Sequence, residues 1–497
     1  MKVLLLNPPF KTKHGKFSRT SRSPAVTKSG TLYYPFWLSY ATGVVEEAGH
    51  KVKLVDACAK GYDKAKTIKL VKDYNPDLVV LDTSTPSIYN DVQVASEIKN
   101  NLSNCFVTLV GTHPSVLIEE TLDLDKSIDA IAKNEYDCTI KELSDILSNN
   151  QLTSENRKDI LSQIKGLSFR VDDQIIHNDS RELIDDLDKL PFVTKIYNKH
   201  LDIKNYFFSA AKYPMAMIIT GRGCPARCKF CVYPQAMHSR KYRYRSAEDI
   251  VEEFEYIVDN MPEIKSIGIE DDTFTFDKKR VKKVCDLLID KEINKEVDWW
   301  VNARVNTLDL ETMKLMKKAG CRLLIAGFES GSQKVLNGMN KGINLKDSRE
   351  FTKNAKQAGL LVHGCFMVGN PGETKETMDK TLEFAKQLNP DTAQFYPMIP
   401  YPGTEAYDWA KNNDYLKDYD YDGWLTQDGL HKTIIDPGDL TAEELVSFCS
   451  KARKEFYLRP KYILYKLKQS LTDYQEFKRT FKSFIKFAKH LYNDFRN

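Results

Sequence analysis

The sequence contains no long apolar run. No stretch approaches the roughly 20 apolar residues that a membrane-spanning helix needs. The apolar run near the start, residues 3–6, is too short for the core of a signal peptide and predicts a first strand instead. We therefore expect neither a membrane span nor a secretory leader.

Cysteine is sparse for the length of the chain. Ten cysteines in 497 residues are too few and too scattered for a disulfide scaffold, which is typical of short secreted proteins. Three of them cluster at Cys224, Cys228 and Cys231, and the other seven are spread along the chain. This usage favours a reducing, anoxic cytoplasm.

A global excess of positive charge is absent as well. The net charge is only +4, and it is unevenly distributed. Residues 451–497 contain 13 Lys and Arg against four acidic residues, which makes this tail +9 and leaves the rest of the chain at −5. Because the basic character is local, the composition disfavours a nucleic-acid partner.

Length and periodicity predict more than one α/β unit. A chain of 497 residues is too long for one ordinary core. In residues 1–145, short apolar runs alternate with helical patterns, which predicts a doubly wound parallel sheet of Rossmann type. The predicted strands are 3–6, 52–55, 78–82, 106–110 and 130–131.

The strand ends of this first unit are candidate ligand-binding loops. Ligands of doubly wound sheets bind beyond the carboxyl ends of the strands. No Gly-x-Gly-x-x-Gly follows the first strand, so a dinucleotide is disfavoured. The polar, turn-forming residues at these ends are Asn7, Pro8, Thr83, Ser84, Thr85, Gly111, Thr112, His113, Asn134 and Glu135.

A connector over residues 146–205, with a hairpin at 166–177, leads to a second series of strand–helix units over 206–410. Units of this kind place their working residues at the carboxyl ends of the strands. Residues 411–497 are predicted to form a mainly helical, basic C-terminal region. The predicted strands of the second unit are 215–220, 266–271, 299–304, 323–330, 362–369 and 393–400.

The three clustered cysteines follow the first strand of the second unit, in the run Gly-Cys-Pro-Ala-Arg-Cys-Lys-Phe-Cys. Soft thiolates select iron–sulfur clusters or zinc. The C-x3-C-x2-C spacing can hold three irons of a [4Fe–4S] cube and leave the fourth iron free. A zinc site would need a fourth ligand, for which His238 is the only local candidate.

Charged and small residues end the other strands of this unit. Glu270, Asp271 and Asp272 are successive carboxylates, which repel one another and therefore need a cationic partner. Arg304, at the next strand end, suits a carboxylate fork. The fourth strand ends at Glu329, Ser330 and Gly331, and the fifth at Gly369, Asn370 and Pro371.

The cysteine loop, with Phe230 before its third cysteine, resembles the cluster loop of the radical S-adenosylmethionine (SAM) superfamily. The resemblance implies a [4Fe–4S] cluster on the three cysteines, whose free iron chelates the amino and carboxylate groups of SAM. The six strand–helix units match the partial (β/α)6 TIM barrel of that superfamily. It also implies that the SAM sulfonium or ammonium could partner the carboxylates, and that Glu329 and Ser330 accept from ribose. The loop at 369–374 resembles one that packs beside adenine, but could equally be a plain turn.

The strand-end loops of the first unit, together with residues 48–50, resemble the cobalamin-binding domain of one large radical SAM subfamily. Residues 233–235 and 240–246 resemble the subgroup with hopanoid-modifying and anaerobic cyclase-like members. The Asp-x-His-x-x-Gly signature of proteins that ligate cobalt through histidine is absent, so we expect no histidine beneath the cobalt, and His113 is the residue to test. The alternative is a Rossmann-like domain without a ligand.

The resemblance implies a radical mechanism. Reductive cleavage of SAM gives a 5′-deoxyadenosyl radical, which abstracts hydrogen from an unreactive carbon, and methylcobalamin then delivers a methyl group. Cyclisation or rearrangement with the same cofactors is the alternative. Methylthiotransfer would need a second cluster on Cys58, Cys105 and Cys138, which are not expected to occupy strand-end loops. A cobalamin-dependent sensor would not cleave SAM.

The resemblance also implies partners. The cluster needs a reductant protein of the flavodoxin or ferredoxin type, and the substrate is expected to be a small molecule or a lipid. In the basic tail, residues 477, 481, 484, 485 and 488 share one apolar helix face. Such a helix suits an anionic membrane surface, or it packs against the barrel. The expected location is the cytoplasm, with peripheral contact at the inner face of the membrane as a further option.

Overall fold

A computed structural model describes residues 1–13, 15–27, 29–417, 420–426 and 428–470 of the chain. The apolar face expected at residues 477–488 lies outside this range. Two sheets, the first mainly parallel and the second parallel throughout, account with their helices for most of the described residues. The α/β fold class is therefore confirmed, and a helical segment follows the second sheet.

The first unit contains nine strands and nine helices of the described chain. Its strands are β1 (Lys2–Asn7), β2 (Phe17–Ser18), β3 (Ala25–Val26), β4 (Lys51–Asp56), β5 (Leu78–Thr83), β6 (Phe106–Gly111), β7 (Ala130–Ala132), β8 (Leu167–Val171) and β9 (Gln174–His177). Its helices are α1 (Phe36–Glu47), α2 (Ala57–Lys60), α3 (Lys64–Tyr74), α4 (Ile88–Asn101), α5 (Thr112–Val116), α6 (Ile118–Leu124), α7 (Asp137–Asn149), α8 (Arg157–Leu161) and α9 (Val193–His200).

The first sheet has the strand order β4-β1-β5-β6-β7-β8-β9. The first five strands are parallel, and every residue of β5 and β6 is buried. Complete burial is expected where helices cover both faces of a parallel sheet. The prediction of a doubly wound parallel sheet is confirmed.

The hairpin of the predicted connector is part of this sheet. β8 pairs antiparallel with β7, so that Phe169 lies opposite Ala130, and β9 pairs antiparallel with β8. A three-residue strand such as β7 would otherwise present an open edge to further pairing. The hairpin covers that edge, which is why it extends the sheet and does not stand apart between the two units.

The second unit contains the remaining strands. They are β10 (Met215–Ile218), β11 (Gly221–Arg222), β12 (Arg243–Tyr244), β13 (Ser266–Ile269), β14 (Asp298–Ala303), β15 (Cys321–Glu329), β16 (Leu361–Val368) and β17 (Thr392–Pro397). Its helices are α10 (Val232–Ala236), α11 (Ala247–Asn260), α12 (Lys278–Asp290), α13 (Leu310–Lys318), α14 (Gln333–Gly338), α15 (Leu345–Gln357) and α16 (Lys375–Leu388).

The six long strands of this unit form one parallel sheet, in the order β10-β13-β14-β15-β16-β17. β10 and β17 are its two ends, as in a partial barrel. Local sequence determines where its helices begin: Ser246 caps α11, and its hydroxyl accepts from the backbone N–H of Asp249 at 3.1 Å. Ile250, Phe254 and Ile257 then repeat at helical spacing and are buried.

Helices α17 (Glu405–Asn412), α18 (Ala442–Tyr457) and α19 (Pro460–Ser470) follow the second sheet. Phe456 of α18 packs against Phe395 of β17, with ring centroids 6.1 Å apart. Tyr462 of α19 donates to the carbonyl of Asp391 at 2.8 Å, which attaches this helix to the same end of the sheet. Among the described helices, none combines the length and apolarity needed to cross a bilayer.

Candidate active site between the two sheets

The cysteine loop leaves the carboxyl end of β10. Gly223 has φ +82°, and a Cβ at this position would overlap the carbonyl oxygen of Lys241, so the turn into the loop needs glycine. Cys224 and Cys228 are buried, and Cys231 stands immediately before α10. The Cys231 N–H donates to the Cys228 carbonyl at 3.4 Å. One short loop therefore presents all three thiols from the first strand end.

Burial controls the charge of these thiols. It raises the pKa of the Cys224 and Cys231 thiols, and the nearby carboxylate of Asp272 raises both further. Thiolates, not thiols, ligate metals, so loading this loop must release protons. Thr273 Oγ1 lies 3.5 Å from Cys224 Sγ, and Arg304 Nη1 lies 3.8 Å from Cys228 Sγ. Both contacts can stabilise negative charge on sulfur.

His238, the candidate fourth zinc ligand, is bound to the first unit through Nδ1, while its buried Nε2 has no partner among the described residues. Its Nδ1 lies 3.1 Å from Glu135 Oε1, and its ring packs against Trp37 with centroids 4.3 Å apart. Both partners belong to the first unit. These contacts hold the imidazole against the first unit, so the zinc alternative gains no support from its Nδ1.

A cation from the first unit neutralises Glu270. Arg22, in the segment between β1 and α1, donates from Nη1 to Glu270 Oε2 at 2.8 Å and from Nη2 to the Glu270 and Asp271 carbonyls at 2.9 Å. It also lies 3.6 Å from Asp272 Oδ1. Asn302 Nδ2 gives Glu270 Oε2 a second donor at 2.9 Å. The buried Oε1 atom of Glu270 has no partner among the described residues, so it remains able to accept from a ligand.

Asp271 has a structural role at this end of the sheet. Its Oδ2 accepts from Thr220 Oγ1 at 2.6 Å, its Oδ1 accepts from the Thr220 N–H, and Arg280 Nη2 lies 3.4 Å from Oδ2. Both carboxylate oxygens are therefore used to fasten β13 to the start of the cysteine loop.

The expectation that Arg304 could partner the carboxylates is wrong. Its Nη2 donates to the Lys341 carbonyl, and its Nη1 points at the Cys228 sulfur. The cations that neutralise the carboxylates are Arg22 and Arg280, which lie outside the strand ends.

Glu329 ends β15 in a strained conformation with two polar partners. Its φ is +59°, a value that favours glycine, and Lys341 Nζ lies 2.7 Å from Oε1. Tyr396 donates to Oε2 at 3.2 Å. Lys341 lies over the Phe230 ring, 5.5 Å from its centroid. Lys341 was not among the sequence candidates, because it lies on a loop twelve residues after Glu329 and in no motif.

Ser330 and Gly331 face α16. Ser330 Oγ lies 3.1 Å from Thr381 Oγ1, and the Gly331 N–H donates to the same hydroxyl at 2.9 Å. A Cβ on Gly331 would overlap the carbonyl oxygen of Lys380, so glycine permits close packing of helix and strand. These contacts supply a structural reason for both residues, and the ribose role of Ser330 stays a prediction.

The fifth strand end is covered by the C-terminal helices. Gly369 has φ +91°, and a Cβ there would lie 2.9 Å from Leu445 of α18. Asn370 is buried, with Nδ2 3.4 Å from the Met367 carbonyl, and the carbonyl of Pro371 packs against Gly338. Burial raises the pKa of neighbouring Glu373 to about 7. The turn thus has close packing reasons of its own, and the adenine role stays a prediction.

The first strand ends of the first sheet are fixed by Arg19. Arg19 Nη1 donates to Asn7 Oδ1 and, at 3.0 Å, to the Pro8 carbonyl, while Nη2 lies 2.7 Å from Asp91 Oδ1. Asn7 Nδ2 donates to Asp56 Oδ1 at 2.9 Å. Asn7 and Pro8 are therefore parts of a buried polar network that holds the loop after β1.

The loops after β5 and β6 contact each other. Gly111 has φ +118°, and a Cβ there would overlap the Thr83 carbonyl oxygen. Ser84 Oγ lies 2.9 Å from Ser87 Oγ and caps the turn that follows β5. Thr83 Oγ1 is buried and has no hydrogen-bond partner among the described residues, so a polar group next to Gly111 remains able to bind a ligand.

His113 is a buried neutral ring. Its Nδ1 lies 3.3 Å from Thr85 Oγ1, and its ring stands edge-on to Tyr421 at 4.8 Å. Burial lowers its pKa to about 3. Its buried Nε2 has no partner among the described residues, and Thr112 begins the helix that carries it.

Asn134 and Glu135 join the first sheet to the segment after the cysteine loop. Asn134, with φ +58°, donates from Nδ2 to the Ala236 carbonyl at 2.9 Å. Burial alone would raise the pKa of Glu135, but hydrogen bonds from Arg243 and His238 outweigh it and hold that pKa well below its usual range. Both side chains are therefore hydrogen-bonded to other residues of this chain. A role in cobalamin binding stays a prediction.

A cavity lies where the two units meet. Candidate residues Thr83, Ser84, Gly111 and Thr112 line it from the first sheet. From the second unit it is lined by the helix that follows the cysteine loop, and further residues come from both units. These are Val232, Tyr233 and Met237 on the helix side, and Arg19, Thr20, Ser21, Arg22, Pro24, Trp37, Asp82, Tyr136 and Tyr401 elsewhere.

Two features of this cavity suit a polar ligand. The Tyr136 hydroxyl and Thr83 Oγ1 are buried polar atoms without partners among the described residues. Burial raises the pKa of Asp82 to about 7, so its carboxyl can exchange a proton near neutral pH. The sequence candidates did not include residues 19–22, although a polar loop after the first strand of such a sheet is a place to search.

Comparison with known proteins identifies two family models. Residues 22–143 match the B12 binding domain, and residues 218–385 match the radical SAM superfamily. The chain is 33% identical to an uncharacterized methyltransferase of Pyrococcus horikoshii over 468 aligned residues. The alignment covers 93% of this chain and 94% of that protein. The chain is 27% identical over 431 residues to the anaerobic magnesium-protoporphyrin IX monomethyl ester cyclase of Cereibacter sphaeroides, covering 86% and 67%.

A solved structure shares the fold over nearly the whole chain. It is the radical SAM methyltransferase TsrM from Kitasatospora setae, determined with cobalamin and a [4Fe–4S] cluster bound. The TM-score is 0.69 at 16% identity, and the match covers 93% of this chain and 89% of that one. The succession of a doubly wound sheet, a six-stranded parallel sheet and C-terminal helices is therefore an arrangement known from experiment.

Proposed function

The chain belongs to the radical SAM enzymes that carry a B12 binding domain, and from this premise we propose that it is a cobalamin-dependent methyltransferase acting on an unactivated carbon. The observation that carries the proposal is the cavity between the units. Strand-end loops of the first sheet and the helix after the cysteine loop line one continuous space. A methyl donor held by the first sheet and a radical source held by the cysteine loop would both reach a substrate there.

Residues near this cavity fit the cluster and SAM. Cys224, Cys228 and Cys231 would hold the [4Fe–4S] cluster. The free Oε1 of Glu270 and the carboxylate of Glu329 are candidate acceptors for SAM. When bound, the reduced cluster and SAM supply a 5′-deoxyadenosyl radical, and cobalamin supplies a methyl group.

The chain itself positions these groups and excludes water. Arg22, in the segment between β1 and α1, binds Glu270 at the carboxyl end of β13, and this contact fixes the distance between the two units there. Trp37 and Tyr233 pack edge to face at 5.8 Å beside the cavity, and Tyr401 closes another side. Aromatic walls suit a radical reaction, because they keep bulk solvent from the reacting carbon.

Cyclisation or rearrangement with the same cofactors is the second candidate. The similarity to the Cereibacter sphaeroides cyclase favours it, because that relative matches 86% of this chain. The site residues described above would serve either outcome, so product analysis must separate the two. The greater identity and more complete coverage of the Pyrococcus horikoshii methyltransferase support methyl transfer as the first candidate.

Methylthiotransfer lacks a plausible site for a second cluster on Cys58, Cys105 and Cys138. The expectation that none of the three follows a strand end is wrong for Cys58, which stands just after β4 and donates to the Pro8 carbonyl at 3.2 Å. Cys105, however, precedes β6. It therefore lies at the opposite edge of a parallel sheet, about 17–20 Å away along a six-residue strand. One cluster cannot bridge that distance.

Labelled SAM separates methyl transfer from cyclisation. The reconstituted enzyme is given SAM with a trideuterated methyl group, together with a metabolite extract of the cells from which the protein comes. We expect it to form a product that is heavier by the labelled methyl group. 5′-Deoxyadenosine and S-adenosylhomocysteine should appear in equal amounts, because one SAM supplies the radical and another the methyl group. 5′-Deoxyadenosine without S-adenosylhomocysteine would indicate cyclisation. Failure to cleave SAM under reducing conditions would favour a sensor.

We further propose that α19 contacts an anionic membrane surface, which would suit a lipid substrate. Ile463, Leu464 and Leu467 on this helix are 42%, 66% and 57% exposed. Lys461 and Lys468 are exposed on the same helix, and residues 451–497 carry +9. Exposed leucines flanked by lysines suit an interfacial helix.

Vesicle flotation tests this location. We expect the full chain to float with phosphatidylglycerol-containing vesicles at low salt and to be released at high salt, because screening weakens the attraction. Leu464→Glu with Leu467→Glu should abolish flotation. Tyr213→Glu, at a residue 46% exposed on another surface, is the matched control and should float normally. Full-length protein that stays soluble at low salt would refute the membrane proposal.

A further inference from the structure

The segment around the cysteine loop is strongly one-sided in charge. Residues 221–246 contain seven Lys and Arg and no acidic residue. Such a run usually finds its counter-charges elsewhere in the fold. The structure allows each cation to be examined for its partner.

Five of the seven cations are paired. Arg222 lies 2.7 Å from Asp137, Arg240 lies 3.1 Å from Glu405, and Lys241 lies 2.6 Å from Asp185. Arg243 and Arg245 form ion pairs with Glu135 and Glu253. These pairs neutralise five of the seven positive charges of the segment.

Arg227 and Lys229 differ from the other five. Neither side chain has an ion pair or hydrogen bond within the described part of the chain. Arg227 is exposed and immediately precedes Cys228, and Lys229 immediately follows it. The two unpaired charges therefore flank one of the three cysteines.

The neighbouring surface continues the positive charge. The N–H of Lys229 donates to the Met339 carbonyl at 3.0 Å, and Lys341 lies over the Phe230 ring, so the end of the stretch 332–346 contacts the cysteine loop. This stretch contains three lysines and no acidic residue. Lys341 is paired with Glu329, whereas Lys334 is exposed on α14.

This surface is separate from the cavity. The cavity is lined by Val232, Tyr233 and Met237 from the helix after the loop, and by none of residues 223–231. Arg227 and Lys229 are thus poorly placed to bind substrate. Both are instead adjacent in sequence to the buried Cys228, and Arg227 is exposed to solvent.

We propose that Arg227 and Lys229 form the centre of a docking surface for an acidic electron-transfer protein of the flavodoxin type, with exposed Lys334 on the adjoining helix α14 as a further positive charge. The proposal rests on the proposed function, in which the cluster must receive one electron for each SAM cleaved. The docked protein gives up that electron from its reduced flavin and becomes oxidised by one electron, and the cluster is reduced by one. Electron-transfer encounters use small, weak interfaces, and complementary charge speeds their formation.

The test compares a protein reductant with a chemical one. We expect Arg227→Glu with Lys229→Glu to raise the KM for photoreduced flavodoxin by at least about tenfold, because charge reversal repels an acidic partner. 5′-Deoxyadenosine formation driven by dithionite should stay within twofold of the parent enzyme. Lys318→Glu, on the exposed end of α13, is the matched control and should change neither rate.

Further variants and a salt titration keep the test decisive if the charge-reversed variant fails to fold or to take up its cluster. Neutral Arg227→Gln and Lys229→Gln variants should show a smaller rise in KM, and the flavodoxin-driven rate of the parent should fall with salt while the dithionite-driven rate does not. Variants with full iron content that lose both rates equally would show that the residues tune the cluster, which would overturn the proposal. An unchanged KM for flavodoxin would also overturn it. A parent enzyme that cleaves no SAM with either reductant would instead refute the proposed function.

Discussion

Alanine at Cys224, Cys228 or Cys231 is expected to abolish SAM cleavage. The three thiols leave one loop at the end of β10, and two thiolates cannot hold the cluster that three hold. Iron in anoxically purified protein should fall from about four per chain to below one. The visible absorbance of the cluster and the formation of 5′-deoxyadenosine from SAM with dithionite should disappear together.

Cys285→Ala is the matched control for this loss. Cys285 is fully buried on α12 and lies outside the loop. Its replacement should cost about 1 kcal/mol of stability and leave iron content and SAM cleavage intact. If the variant lacking all three loop cysteines keeps its full iron content, the assignment of the cluster to this loop is wrong.

Periodicity was sufficient to predict both sheets. Each of the six strands of the second sheet begins within two residues of its expected start, because buried parallel strands are continuous apolar runs between amphipathic helices. The same reasoning predicted the order of elements in the first sheet. The cysteine loop could be predicted for a different reason: metal ligands from one loop are encoded by spacing within a few residues.

Contacts between distant segments could not be predicted in this way. The cation that neutralises Glu270 is Arg22, 248 residues away in the sequence and in the other unit. Arg304, the local candidate, turns to Lys341 and Cys228 instead. Local spacing carries no information about which of several arginines reaches a carboxylate, since that depends on how the two units pack.

Residues at strand ends serve structural contacts as well as ligand binding. Asp271, Ser330 and Gly331 occupy the predicted positions, yet their polar groups fasten neighbouring elements together. Position at a strand end thus identifies residues near a site but not those that face a ligand. Buried atoms left without partners, such as Glu270 Oε1 and Thr83 Oγ1, are a more selective sign.

Gly111→Ala is expected to weaken cobalamin binding and spare the cluster. Gly111 has φ +118°, and a Cβ would overlap the Thr83 carbonyl oxygen. The free variant can relax by moving the loop after β6 away from β5, but the geometry that lines the cavity then costs about 1–3 kcal/mol to restore. Cobalamin affinity should fall about 10- to 100-fold, measured by absorbance after anoxic gel filtration.

Gly49→Ala separates this effect from simple strain. Gly49 has φ +87°, but a Cβ there would meet nothing within 4 Å, and the residue precedes β4 at the edge of the sheet opposite the cavity. It should lower the thermal midpoint without changing cobalamin content. Iron should remain full in both variants, because the cysteine loop belongs to the other unit. If Gly111→Ala binds cobalamin as tightly as the parent, the loops after β5 and β6 do not form its site, since a ligand held there could not tolerate their separation.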